Sequence, residues 1–334
     1  MAAIGVLGAG TWGMALARML CNMGHDVQVW SALPEEIDVL MATGKHPKLA
    51  HMELPENLNY TKSIQEVSEN KDILLFAVPS VFVRSTAKAV CPYVADGQVI
   101  VDVAKGIEPG SLFTLTQVIR DELSRRQELS DVKLVALSGP THAEEVAVDL
   151  PTTIVAACED LEAARRVQSI FMNPKFRVYT NDDIHGVEIC GAFKNIIALG
   201  TGIARGLGYG DNTAAALITR GVREVARLGE LMGCKPDTFN GLAGIGDLIV
   251  TCTSKHSRNL TCGMLLGKGK GKEEAIREVG MVVEGIYALD AAMELKKKYQ
   301  VELPICEAVD AIVNQGMSAL AAGEALMERM GRQE

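Results

Sequence analysis

Two polar residues, Lys194 and Asn195, interrupt the apolar run ICGAFKNIIALGTG at positions 189–202. If that run is a buried helix, the lysine loses its hydration, and its ammonium must find a partner or give up a proton. Either state is useful where a proton has to move. The competing reading is a lysine whose stem packs while its head reaches water. A second cluster, GLAGIGDLIVTCTSKHSRN at 241–259, sets three glycines ahead of Asp247 and ends in Ser257-Arg258-Asn259. Ser257 reads as the N-cap of a helix that continues through LTCGMLLGKG, which puts Arg258 and Asn259 in its first turn. An arginine fork beside free helix amides makes a phosphate site; a capped surface helix with an exposed arginine is the alternative. A third group stands where apolar runs end: Val78-Pro79-Ser80, Lys105 and Ser138-Gly139-Pro140-Thr141.

The elements that must position these side chains begin at the N-terminus. AAIGVLGAGTWG gives a short apolar run, then Gly8-x-Gly10-x-x-Gly13, then the helical pattern WGMALARMLCNMG. Strand, tight glycine turn and helix in that order form the dinucleotide fingerprint: Gly8 permits the turn, Gly10 admits a pyrophosphate, and Gly13 lets helix pack on strand. HDVQVW reads as a second strand ending at Trp30, where an acid would hold the ribose of NAD. Ser31 and Ala32 follow instead, with Glu35 and Glu36 further on and no arginine for the 2'-phosphate of NADP, so cofactor preference stays open. DILLFAVPS, QVIVDVAKG and VKLVALSGP are further strands with helical patterns between them; PTTIVAAC and KFRVYT flank a helix from about Asp160 to Met172. Continuous Val/Ile/Leu runs suit a parallel sheet covered on both faces, whose ligands bind beyond the carboxyl ends of the strands. From Asp182 onward the strand signals stop and helices take over. The expected fold is a Rossmann-type doubly wound α/β domain over 1–181 followed by an all-helical domain over 182–334, with the substrate in the crevice between them.

At 334 residues the chain is too long for one ordinary core. Its net charge of −9 disfavours nucleic acid as a partner, and its one basic run, Lys296 to Lys298, reads as a solvated helix face. Eight cysteines without a CxxC pair signal neither a metal site nor a disulfide framework, which fits reduced thiols in the cytoplasm. The N-terminus shows no basic n-region, and no run of uncharged apolar residues is long enough to cross a bilayer, so neither export nor stable membrane insertion is expected.

The motifs GAGTWG, VPS, AKGIE, SGPTHAEEVA, GAFKNIIALGTGIARGLGYGDN, ALITRG, GLAGIGDLIVTCTSKHSRN and VVEG together resemble those of bacterial NAD(P)-dependent glycerol-3-phosphate dehydrogenases along nearly the whole chain. The resemblance implies reversible oxidation of sn-glycerol 3-phosphate to dihydroxyacetone phosphate, run mostly toward glycerol 3-phosphate as a phospholipid precursor. By position it implies that Lys194 is the proton acceptor. Lys105, Gly139, Thr141, Asp247, Ser257, Arg258 and Asn259 fall at substrate positions. Thr11, Trp12, Lys105, Ala143, Arg258, Val282 and Glu284 join Gly8, Gly10 and Gly13 at cofactor positions. Two residues depart from the pattern: His142 stands where the family usually has phenylalanine, and Ala32 where an arginine or histidine often meets the adenosine end. Acceptance of both NAD and NADP is therefore expected. A lysine base requires a depressed pKa, for which the apolar run supplies burial and Lys105 a neighbouring cation; Asp247 orients the lysine or a substrate hydroxyl, or forms a structural ion pair. The rival readings are a ketopantoate-type hydroxyacid dehydrogenase, which has no need of the SRN phosphate site, and a nucleotide-binding redox sensor without turnover. The oligomeric state is left open, a homodimer included.

Overall fold

The computed structural model describes residues 1–331. The first part of the chain runs β1 (Ala3–Leu7), α1 (Thr11–Asn22), β2 (Asp26–Trp30), α2 (Pro34–Thr43), β3 (Asn59–Thr61), α3 (Ile64–Ser68), β4 (Ile73–Phe76), α4 (Val83–Val90), β5 (Val99–Asp102), α5 (Leu115–Leu123), β6 (Lys133–Ser138), α6 (Ala143–Val146), β7 (Thr152–Ala157), α7 (Leu161–Phe171) and β8 (Phe176–Asn181). Nine α-helices follow among the described residues: α8 (Ile184–Gly206), α9 (Asp211–Leu231), α10 (Pro236–Phe239), α11 (Asp247–Thr253), α12 (Arg258–Gly267), α13 (Lys272–Val279), α14 (Glu284–Tyr299), α15 (Pro304–Asn314) and α16 (Ala319–Met327). Two compact units result. One is Met1–Lys105 with Phe113–Ile184; the other is Gly106–Leu112 with the chain from His185 onward.

In the first unit the eight strands lie in the order β3-β2-β1-β4-β5-β6-β7-β8. Strand periodicity sorts the apolar side chains to two faces. Ile73, Leu75, Val99 and Val101 join Met14, Leu16 and Leu20 of α1 in one core, while Leu74, Phe76 and Ile100 join Val83, Val118 and Ile119 of α4 and α5 in another. Burial on both faces explains why these strands read as unbroken apolar runs. The sheet departs from the expected parallel arrangement at one end, where β7 pairs antiparallel with β6 and parallel with β8. The connection from Ser138 to Thr152 holds only the single turn α6, too little for a crossover helix to return the chain parallel. Asp160 caps α7 through the amides of Glu162 and Ala163.

In the second unit α8 is long and apolar enough to cross a membrane, yet its apolar window is wholly buried within the protein. Its packing on α12 depends on glycine. A Cβ on Gly202 would stand 2.2 Å from the Leu260 carbonyl oxygen, and one on Gly263 would stand 2.1 Å from that of Leu199. The two backbones thus touch, which fixes α12 against the turns of α8 that follow Lys194. The lysines at 296–298 lie in the last turn of α14, with Lys297 and Lys298 exposed.

Candidate functional site

The glycine turn follows β1 in the first unit. Gly8 has φ +123°, and a Cβ there would meet the Ala77 carbonyl oxygen at 2.7 Å; one on Gly13 would stand 2.2 Å from the Gly8 carbonyl oxygen. Both positions therefore require glycine for the fold itself. Gly10 differs: a Cβ on it would meet nothing within 4 Å. Gly10 is also the N-cap of α1 and offers no side-chain cap, so the helix begins with amides unsatisfied by the chain at Thr11, Trp12 and Gly13. Open space over Gly10, beside a positive helix end, is the cradle a dinucleotide pyrophosphate needs. Trp12 packs against the adjoining core.

At the carboxyl ends of β5 and β6 the structure gathers three more of the singled-out residues. The Lys105 ammonium donates to the Gly139 carbonyl at 3.2 Å, and the Thr141 hydroxyl donates to the same oxygen at 3.1 Å. Gly139 backs onto β7, where a Cβ would stand 3.0 Å from the Ile154 Cα. Ala143 is buried at the start of α6, after His142 in the N-cap position.

The remaining residues belong to the helical unit. Lys194 is 7% exposed on α8, and Asp247, the first residue of α11, is fully buried. The lysine Nζ donates to Asp247 Oδ1 at 2.6 Å and to Thr251 Oγ1 at 2.8 Å. Thr251 lies four residues after Asp247, hence on the same helix face, and its hydroxyl donates back to the Asp247 backbone carbonyl at 2.6 Å. Of the two fates open to a buried ammonium, the partnered one is found: the neighbouring charge is a carboxylate. The buried Cys252 thiol is pushed up to about 11 by burial and feels both members of the pair, so it stays protonated and inert.

Asn195, also buried, turns toward α12. Its Oδ1 accepts from Asn259 Nδ2 at 3.0 Å, and Asn259 Oδ1 accepts in turn from the Gly285 amide at 2.8 Å. A Cβ on Gly285 would stand 2.6 Å from the Asn195 carbonyl oxygen, so the start of α14 sits directly on α8. Ser257 caps α12 by accepting from the Leu260 amide, as its spacing predicts. Arg258 Nη1 donates to the Val282 carbonyl at 3.2 Å, and Glu284 opens α14, so Arg258, Val282 and Glu284 form one neighbourhood.

The singled-out residues thus form three groups: the glycine turn, the Lys105–Gly139–Thr141 cluster, and a helical-unit cluster linking Lys194, Asp247, Ser257, Arg258, Asn259, Val282 and Glu284. Two further residues join the last group, Thr251 through Lys194 and Asn195 through Asn259, and neither was assigned a role from sequence. Thr251 is signalled by its i, i+4 spacing from Asp247, and Asn195 by being the second polar residue of the buried run. Among the described residues no three metal-ligating side chains converge.

The family models for the NAD-dependent glycerol-3-phosphate dehydrogenase N-terminus and C-terminus match residues 3–164 and 183–324. A glycerol-3-phosphate dehydrogenase (NAD(P)+) of Lactobacillus delbrueckii subsp. bulgaricus is 62% identical over 334 residues, covering 100% of this chain and 99% of that protein. One from Agathobacter rectalis is 49% identical over 330 residues, with 98% and 96% covered. The crystal structure of a glycerol-3-phosphate dehydrogenase from Coxiella burnetii superposes with a TM-score of 0.92 at 36% identity, over 98% of this chain and 99% of that one. With both halves matched and relatives similar from end to end, the chain belongs to the NAD-dependent glycerol-3-phosphate dehydrogenase family.

Proposed function

We propose that the protein catalyses the reversible, NAD(P)-dependent oxidation of sn-glycerol 3-phosphate to dihydroxyacetone phosphate and works in the cytoplasm, mainly toward glycerol 3-phosphate for phospholipid synthesis. The observation that carries this reading is the buried Lys194–Asp247–Thr251 constellation. An ammonium held against a carboxylate is in the proton-donating state. It is therefore ready to protonate the oxygen that develops charge at C2 as dihydroxyacetone phosphate is reduced. In the reverse direction the neutral amine takes the proton of the C2 hydroxyl. Asp247 and Thr251 aim the lysine, and the apolar wall of α8 keeps water from competing.

The nicotinamide cofactor supplies or accepts the hydride at C2 when it is bound. The space over Gly10 and the amides of Thr11, Trp12 and Gly13 would hold its pyrophosphate, and the family resemblance adds Ala143, Val282 and Glu284 to the cofactor residues. Arg258 and the first-turn amides of α12 take the substrate phosphate, helped by the Ser257 cap; Arg258 is bonded to the Val282 carbonyl, and the family resemblance counts both residues among the cofactor contacts. Lys105, with Gly139 and Thr141, contributes a second cation toward the substrate. Asn259 holds its helix start in place through Asn195 and Gly285. The eight cysteines are all buried free thiols, in keeping with a reducing compartment.

A spectrophotometric assay with NADH, NADPH, dihydroxyacetone phosphate and ketopantoate tests the reading. Oxidation of reduced cofactor with dihydroxyacetone phosphate is expected. Turnover of ketopantoate alone would point to the hydroxyacid rival, and cofactor binding without turnover to the sensor.

A further inference from the structure

The residue after β2 is Ser31, and the geometry there bears on cofactor choice. Trp30, the last residue of β2, accepts from the Gly8 amide at 2.8 Å, so the end of this strand is tied directly to the glycine turn. The Ser31 side chain is 6% exposed; its hydroxyl donates to Glu36 Oε2 at 2.6 Å and accepts from the Leu33 amide at 3.1 Å. Glu36 lies in the first turn of α2 and is itself exposed. The carboxylate missing from position 31 is thus returned to that place from five residues further along the chain.

His46 also borders the turn. Its ring contacts the Ala9 carbonyl through Nε2 at 3.2 Å and accepts from the Lys48 amide through Nδ1 at 3.2 Å, which fixes the tautomer with the proton on Nε2. Burial holds the imidazole below its ordinary value against the opposing pull of the Ala9 carbonyl and Glu36, so at neutral pH it carries no charge. Because Ser31 follows directly on Trp30, whose carbonyl holds the Gly8 amide, the carboxylate that Ser31 holds stands next to the turn the dinucleotide crosses. Lys48 is the opposing cation acting on the same ring. Ala32, between the two anchoring residues, offers none.

We propose that Glu36, fixed by Ser31 at the end of β2, makes this protein prefer NADH to NADPH. The inference rests on the cofactor site assigned above and adds the selectivity of that site. A carboxylate accepts from the free 2'-hydroxyl of NADH, whereas the 2'-phosphate of NADPH brings a second anion to the same place. A carboxylate and a phosphate dianion about 6 Å apart in a watery setting repel enough for roughly a tenfold difference in binding. Lys48 lowers that figure without reversing it, because its head is not anchored as the Glu36 carboxylate is.

The test is fluorescence titration of NADH and NADPH into the full chain, together with kcat/KM for each at saturating dihydroxyacetone phosphate. Wild type is expected to favour NADH by several-fold, up to about tenfold. Glu36→Gln keeps an acceptor for Ser31 or the ribose but removes the charge, and should improve NADPH by about tenfold while moving NADH by less than about threefold. Ser31→Ala frees the carboxylate and should shrink the preference in the same direction. Lys48→Ala should widen it. A wild type that favours NADPH, or a Glu36→Gln variant that changes both cofactors in equal proportion, overturns the inference and makes Glu36 merely the first-turn acid of α2. Failure of both cofactors to bind overturns the functional assignment itself, and this inference with it.

Discussion

Replacing Lys194 with methionine separates what the lysine does for the fold from what it does for the reaction. Asp247 is fully buried, and Lys194 Nζ lies 2.6 Å from its Oδ1. Breaking a buried pair by removing one partner costs about 3–5 kcal/mol, because the remaining charge keeps its desolvation without its compensation. Lys194→Met should therefore move the urea midpoint down by that equivalent and lower kcat by about a hundredfold or more, with NADH still bound. The informative variant is the double one, Lys194→Met with Asp247→Leu. Apolar replacement of both partners at similar volume is typically neutral to stabilising. The Thr251 hydroxyl keeps its donor bond to the backbone carbonyl of residue 247 at 2.6 Å whatever the side chain there, so the double variant leaves that donor satisfied. Stability should return toward wild type while turnover does not. Both quantities are read from one preparation, by far-UV circular dichroism in urea and by NADH absorbance with dihydroxyacetone phosphate. Recovery of turnover in the double variant would show that the pair serves only the fold. A single variant as stable as wild type would refute the buried-pair argument.

Three further outcomes follow from the geometry. Arg258→Ala should lower kcat/KM for dihydroxyacetone phosphate by about ten- to a hundredfold, since a charge-assisted fork to phosphate contributes about 1.5–3 kcal/mol, and should leave unphosphorylated dihydroxyacetone nearly unaffected. Because Arg258 also holds the Val282 carbonyl, cofactor KM is measured in the same variant, and equal proportional losses for both substrates would remove the phosphate assignment. Gly10→Ala should fold with stability within about 1 kcal/mol of wild type yet weaken NADH binding, whereas Gly13→Ala, whose Cβ would stand 2.2 Å from a carbonyl oxygen, should lose about 1–3 kcal/mol of stability; similar behaviour of the two would refute the cradle. The Glu224 carboxyl, which caps α15 through the Ile305 amide, is pushed up to about 7 by burial from an ordinary 4.5. The unfolded chain then ionises first, so the stability linked to this group is complete below pH 4.5 and falls by about 3 kcal/mol as pH rises through 7. Glu224→Gln should be the more stable protein at pH 8 and should lack that slope; an unchanged slope would assign the pH dependence elsewhere.

What could be read in advance depends on whether the controlling interaction is local. The β4 and β5 runs announce themselves because every residue is buried, and α12 because Ser257 supplies its own cap. The three-residue strand β3 buries only Thr61 and leaves no periodic trace. The antiparallel entry of β7 is encoded in the shortness of the connection before it, and its apolar pattern is that of a strand running either way. Selectivity at the end of β2 was hidden for a similar reason: the acid expected at the strand end sits instead on the next helix and reaches back.

The site itself shows where local reading stops. Lys194 and Asp247 stand out because a charge in an apolar run is improbable without a purpose; the sequence leaves Asp247 a choice between the lysine, a substrate hydroxyl and a structural ion pair, and only the fold shows that it holds the lysine 53 residues away. Asn259 illustrates the same limit. The family resemblance puts it among the substrate contacts, yet its Oδ1 accepts from Gly285 and its Nδ2 donates to Asn195, 26 and 64 residues distant. An amide has one further N–H and one further lone pair to offer, so these bonds do not bar a ligand, but they set the priority of the side chain. Through them α8, α12 and α14 share one buried polar junction between Lys194, Arg258 and Glu284, the residues assigned to the proton, the phosphate and the cofactor. A shift of any one helix would break a buried hydrogen bond, and an unsatisfied buried partner costs more than the bond contributes when made. The asparagine pair thus holds three chemically distinct groups in a single register, a task visible only once the helices are packed.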